Sequence, residues 1–227
     1  MTHVREHRSM LARVEKALLI RIACRLPSSI TSDHLTALAL VAMVGAGVSF
    51  ALIHTAWWSA AAVVLALAVN WFGDSLDGTV ARVRNQQRPR YGYYVDHVAD
   101  LAGTAALVTG MATSGVMTPA VALALVAAYC LVSAESYLAT HSLGVFRMSF
   151  AGIGPTELRI VLAVGAIFVA IDPWATVAGQ RLFLLDVGGV VATAGLLTAF
   201  VASSMRNARA LYLAEPLPRS TGQERAA

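Results

Sequence analysis

The chain has 227 residues, of which 57% are apolar and only 13% charged, with a formal net charge of +4. That balance sets it apart from soluble domains and places it among membrane proteins, so the bilayer is the solvent to reason with. The positive charge does not point to nucleic acid, because it is gathered in short segments between apolar runs, where it suits anionic headgroups and phosphate-bearing substrates.

Residues 1–26 begin the chain with a basic segment in which Leu11, Val14, Leu18 and Ile22 fall on one helical face, with Arg8, Arg13, Lys16 and Arg21 over much of the remainder. This pattern predicts an amphipathic helix lying on the cytoplasmic membrane surface. A removable signal peptide is not expected, since Arg21 and Arg25 follow the short run "ALLI" and no small-residue cleavage site appears. Pro27-Ser28-Ser29 breaks the helix, and Thr31, Ser32 and Asp33 offer N-caps for the first span.

Runs of about 20 apolar residues span a hydrocarbon core. Six are read here: Leu35 to Ile53, Thr55 to Gly73, Tyr94 to Met117, Thr118 to Thr140, Pro155 to Ile171, and Asp186 to Met205. The fifth is the shortest, and a five-span chain is the competing count. Pro155 suits the first turn of a helix, where its missing N–H loses no partner. Trp57 and Trp58 lie at the far end of the first span, where an interfacial belt belongs. Asp186, with Gly188 and Gly189, reads as the structural start of the sixth span.

With six spans, 16 of the 17 Lys and Arg residues fall on one side, and only Arg181 on the other. Basic loops stay cytoplasmic. This asymmetry favours the even count and puts both termini in the cytoplasm. The expected architecture is therefore an all-α polytopic membrane protein: an amphipathic surface helix over residues 1–26, a six-helix membrane domain over 27–210, and a disordered cytoplasmic tail over 211–227. Cys24 and Cys130 lie at different depths and are expected to be free thiols.

The chemistry concentrates in "GDSLDGTVARVRNQQRPRYGYYVDHVAD", residues 73–100. Asp74 and Asp77 are three apart at the end of the second span, and Asp96 and Asp100 four apart at the start of the third; on helices each pair shares a face. A carboxylate deep in hydrocarbon costs about 2.5–3.5 kcal/mol, so four near one membrane face need compensation. Salt bridges to Arg82, Arg84, Arg88 and Arg90 are one solution. A divalent cation site is the other, because Mg²⁺ is bound by a few carboxylates together with waters and substrate phosphates. Gly78 and Ala81 leave space on the same stripe for a bulky ligand, and Arg82 could hold a phosphate bidentately.

Written out, the stretch is D-x2-D-G-x2-A-R-x9-G-x3-D-x3-D, formed by Asp74, Asp77, Gly78, Ala81, Arg82, Gly92, Asp96 and Asp100. It resembles the signature of the CDP-alcohol phosphotransferases, integral membrane enzymes of phospholipid synthesis, and all eight positions match. The resemblance implies that Asp74, Asp77 and Asp96 bind metal with Asp100 also at it, Mg²⁺ or alternatively Mn²⁺; four aspartates have room for one ion or two, and two are expected. It also implies that Asp74, Gly78, Ala81, Arg82 and Gly92 contact the cytidine diphosphate, and that Asp100 is the general base.

The signature does not choose between two classes. One moves a phosphatidyl group from CDP-diacylglycerol to an alcohol; the other moves phosphocholine or phosphoethanolamine from a CDP-alcohol to diacylglycerol. Asp96-His97 and "GPTELR" (154–159) resemble local features of the second class, whereas the compact chain resembles bacterial enzymes of the first. The expected function is phosphatidyl transfer from CDP-diacylglycerol with release of CMP. A divalent-cation transporter is the rival from another class, but acidic groups along a pathway should lie at several depths.

Candidate acceptor-binding residues are Glu135, His141, Arg147, Glu157 and Arg159, near the cytoplasmic ends of the fourth and fifth spans; Arg147 and Arg159 could equally anchor helix ends. His34, His97 and His141 do not show metal-ligand spacing and read as polar helix-end residues. Homodimerisation is expected from the resemblance, with small residues such as Gly110, Gly115 and Gly195 permitting close helix contacts. A single lysine beside abundant arginine and alanine suggests a GC-rich bacterial source and a bacterial inner membrane location.

Overall fold

The computed structural model describes residues 4–5, 12–146 and 154–215. Seven helices dominate: α1 (Ala12–Arg25), α2 (Ser32–Ala51), α3 (Ser59–Val83), α4 (Pro89–Thr113), α5 (Pro119–Leu143), α6 (Pro155–Ile171) and α7 (Leu184–Ala214). A two-residue parallel pair joins β1 (Val4–Arg5) to β2 (Val145–Phe146), and an antiparallel hairpin, β3 (Trp174–Val177) with β4 (Gln180–Phe183), precedes α7. Among the described residues the protein is all-α apart from these short pairs.

Each predicted span coincides with a helix, but the ends differ. Hydropathy falls at Gly73, the expected end of the second span, yet α3 continues to Val83. Backbone hydrogen bonds do not depend on the side chains being apolar, so the helix runs on through the aspartates. It ends where Asn85 adopts φ 54°, allowing the Gln86 N–H to reach the Ala81 carbonyl at 2.9 Å. Likewise α7 extends past Met205 to Ala214, four residues into the expected tail; residues beyond 215 lie outside the described part. The α6 bounds are those expected from Pro155 and Ile171.

Among the described residues four helices, α2, α3, α5 and α7, are long and apolar enough to cross a membrane by length and composition. The other two candidate spans fall short for identifiable reasons: α4 carries Asp96, His97 and Asp100 in its first half, and α6 has 17 residues. The outward faces are apolar, with Val41, Val48, Leu65, Leu123, Ile171 and Val191 all more than half exposed. That is the surface of a protein solvated by lipid.

Packing follows a closed circuit. α2 lies against both α3 and α4; α3 contacts α6, α4 contacts α5, α5 contacts α7, and α6 meets α7. Among the described residues α3 and α4 have little direct backbone contact. Where α2 and α4 meet, Gly47 and Gly110 face one another so closely that a Cβ on Gly110 would collide with the Gly47 backbone. Gly110 is therefore used inside the chain, while Gly195 on α7 has open space beside it.

A separate apolar cluster binds α1 to the bundle through Leu19, Ala23, Leu35, Leu76 and Val80. The N-cap of α2 is Thr31, whose Oγ1 accepts from the His34 N–H at 3.3 Å while His34 Nδ1 accepts from the Thr31 N–H. His34 thus has the helix-end role expected of it. Asp186 links α7 to the start of α5, accepting from the Thr118 N–H at 2.7 Å and its hydroxyl at 2.6 Å.

Candidate active site

The four aspartates face one another across the space between α3 and α4. Asp100 on α4 is within electrostatic reach of Asp74 and Asp77 on α3, of Asp96 on its own helix, and of Arg159 on α6. The helical spacing explains this arrangement: i, i+3 on α3 and i, i+4 on α4 put each pair on one face. α2 lies against both helices and so fixes the two faces relative to one another.

Each carboxylate is separately oriented. Asp77 is buried, and accepts from the Thr36 hydroxyl of α2 at 2.6 Å and from the Gly78 N–H. Asp74 accepts from Arg159 Nη2 at 2.6 Å, and the same guanidinium donates through Nε to Asn70 Oδ1 at 2.7 Å. Asn70, one turn before Asp74, is itself fixed by donating to the Ala39 carbonyl at 3.0 Å. A charge-assisted hydrogen bond of the length between Arg159 and Asp74 is among the strong ones. It gives the Asp74 carboxylate a counter-charge from α6.

Two of the arginines around the α3–α4 turn, Arg84 and Arg88, are engaged elsewhere. Arg84 donates to the carbonyls of Ile30, Leu26 and Pro27 at 2.6, 2.9 and 3.0 Å, tying the end of α3 to the α1–α2 elbow. Arg88 pairs with Asp33 at 2.5 Å. Arg82 donates to Thr79 Oγ1 at 3.0 Å and lies over Gly78, where an added Cβ would stand 3.2 Å from its Nη1. Gly92 lies exposed near the start of α4 with nothing within 4 Å of a Cβ position.

Asp96, His97 and Asp100 can present one ligand atom each within 4.8 Å of one another, a donor set suited to a divalent ion. Spacing alone does not place His97 here. It is 7% exposed, with Nδ1 3.4 Å from Asp96 Oδ2 and its ring stacked on Tyr137 of α5 at 5.1 Å. The one signal for it in the sequence is the i, i+1, i+4 run Asp96-His97-Asp100. Asn70 and Thr36 carry none beyond being polar in apolar spans.

The acceptor candidates separate. Arg159 is in the aspartate cluster. Glu157 accepts from the Gly154 N–H at 3.0 Å, serving the start of α6. Glu135 accepts from Asn207 Nδ2 at 2.6 Å, so it joins α5 to α7. His141 is exposed in the last turn of α5. Arg147 lies outside the described residues.

Against known proteins, the sequence profile of the CDP-alcohol phosphatidyltransferases matches residues 29–205, which include the whole cluster. The fold is similar to the crystal structure of the phosphatidylinositol phosphate synthase PgsA1 from Mycobacterium tuberculosis with CDP-DAG bound. The TM-score is 0.52 at 20% identity, covering 95% of this chain and 99% of that one. At that identity the likeness speaks for the fold. No curated protein sequence matches the chain.

Proposed function

Since the chain belongs to the CDP-alcohol phosphatidyltransferase family, and is thus a membrane transferase of phosphate-containing groups, we propose that it moves a phosphatidyl group from CDP-diacylglycerol to an alcohol and releases CMP. The observation that carries this is the convergence of Asp74, Asp77, Asp96 and Asp100 from two separated helices, with Arg159 beside them.

Members of the family work with a divalent metal, and the hard oxygen donors here fit one. Asp74, Asp77, Asp96 and Asp100 would hold Mg²⁺, or Mn²⁺ in its place, as two ions. Bound there, the metal supplies charge to the phosphate oxygens and the departing CMP.

The chain's own residues do the rest. Gly78 and Gly92 keep the cytidine side open, and Arg82, lying over Gly78, is within a side-chain rotation of a phosphate bound there. Asp100 is the general base: the acceptor hydroxyl passes its proton to the Asp100 carboxylate as its oxygen bonds to the β-phosphorus. The bond from that phosphorus to the bridging oxygen of CMP breaks, and CMP leaves with the electron pair. Arg159 orients Asp74 through the bond it donates, and is suitably placed for an acceptor phosphate.

The proposed location is a bacterial inner membrane, with α4 and α6 crossing as well and the site end and both termini on the cytoplasmic side, an orientation that the basic segments support. A homodimer is proposed on the family likeness, and crosslinking in native membranes tests it.

The decisive experiment incubates membranes containing the protein with radiolabelled CDP-diacylglycerol, Mg²⁺ and a panel of alcohols and alcohol phosphates, beside CDP-choline and CDP-ethanolamine with diacylglycerol. A phosphatidyl product from the first arm is expected. Product only from the second arm would reassign the donor, and no CMP from either would remove the enzyme reading.

A further inference from the structure

His97 lies in the donor set with Asp96 and Asp100, and three observations bear on what it does to Asp96 there. It is a buried histidine in a helix half that carries two carboxylates, its Nδ1 lies 3.4 Å from Asp96 Oδ2, and its ring is walled on two sides. Tyr93, one turn earlier on α4, meets the ring edge-on at 4.1 Å; Tyr137 stacks from α5 with an interplanar angle of 17°. An imidazole held so cannot tip away without displacing an aromatic ring from another helix.

We propose that His97 is a positioning residue: fixed between Tyr93 and Tyr137, it directs its Nδ1 at Asp96 and so sets the rotamer of a carboxylate that holds the metal. The inference rests on the proposed metal site. Its physical content is that of outer-sphere partners generally, which orient a ligand and whose loss costs about 10–100-fold in metal affinity or activity. It also gives α5 a route to the site: the stack transmits the α4–α5 contact to Asp96.

The substitutions separate the contact of Nδ1 with Asp96 from packing. His97→Phe keeps a flat ring between the tyrosines and removes the polar nitrogen. His97→Asn puts an amide nitrogen near the Nδ1 position and removes much of the ring. If orientation of Asp96 is the role, the asparagine variant retains what the phenylalanine variant loses; a packing role predicts the reverse.

The test measures Mn²⁺ binding to the full-length protein in detergent, by the loss of the free-ion electron paramagnetic resonance signal, beside the unfolding temperature. His97→Phe is expected to weaken Mn²⁺ binding about 10–100-fold, with His97→Asn within a few-fold of the parent protein. Should the phenylalanine variant not fold, His97→Gln, whose amide reaches toward Nε2 instead of Nδ1, is read in its place and must also weaken binding. Asp96→Asn is the reference. Loss of Mn²⁺ in Asp96→Asn but not in His97→Phe or His97→Gln overturns this inference alone; unchanged binding in Asp96→Asn overturns the metal site beneath it. Asparagine as damaging as phenylalanine overturns the inference as well.

Discussion

Helix α4 meets its two sequence-preceding neighbours in opposite ways. In its second half it presses on α2, where Gly47 and Gly110 leave no room for a Cβ and Gly103 brings the backbone against Met43. In its first half it stands away from α3, and the groups in the intervening space are carboxylates. Contact without side chains fixes the angle of α4; distance filled with charge makes the site. The lesson is that the apolar half of the helix determines the geometry of the polar half, and each half should fail in its own way when altered.

The largest effect is expected at the contact. Gly110→Leu would force α2 and α4 apart, costing at least about 3 kcal/mol, the upper end of ordinary over-packing, because backbone must move. Unfolding temperature and the yield of monodisperse protein should both fall. A folded, active Gly110→Leu protein would mean that this contact does not govern the site.

Asp100→Asn should show the opposite profile. It is nearly isosteric, so the fold should survive, but a general base contributes roughly 10²–10⁴-fold. CMP release should fall by that order while binding of CDP-diacylglycerol persists. Near-normal turnover would dismiss Asp100 as the base.

Arg159→Ala tests how the separated half is held together before substrate arrives. It leaves Asp74 and Asn70 without the donor that bonds both, and stranding a partly buried polar partner costs about 1–3 kcal/mol. The unfolding temperature should drop, and added Mg²⁺ should narrow the difference by taking over the neutralisation of Asp74. A difference that Mg²⁺ leaves unchanged would argue that Asp74 is not a metal ligand.

The two halves of α4 also differ in how far they can be read from the sequence. The signature carries the carboxylates, their pairing by face and their common membrane side, because i, i+3 and i, i+4 spacing is a local property. The extent of α3 is not legible at Gly73 because hydropathy reports solvent preference and not backbone hydrogen bonding. The contacts hidden from the sequence are non-local: Asp74 meets Arg159 across 85 positions, Asp77 meets Thr36 across 41, and His97 is buried by Tyr137 from another helix. The glycine contact is hidden for the same reason, since a small residue in a membrane helix does not announce which neighbour it faces.

The smallest effect is the most discriminating, and it falls on Gly92. This glycine sits within the first turns of α4, where alanine is worth about 0.5–1 kcal/mol more than glycine, and nothing lies within 4 Å of the position a Cβ would take. On packing alone Gly92→Ala should therefore leave the unfolding temperature unchanged or slightly raised. If the open space instead receives the cytidine diphosphate, the added methyl should raise KM for the CDP-linked donor with kcat little altered, the pattern of lost uniform binding. The paired result, a protein as stable as the parent that binds its donor less well, would separate room left for a ligand from room left by chance. An unchanged KM would move the nucleotide away from the start of α4 and leave Gly78 and Arg82 on α3 to hold it.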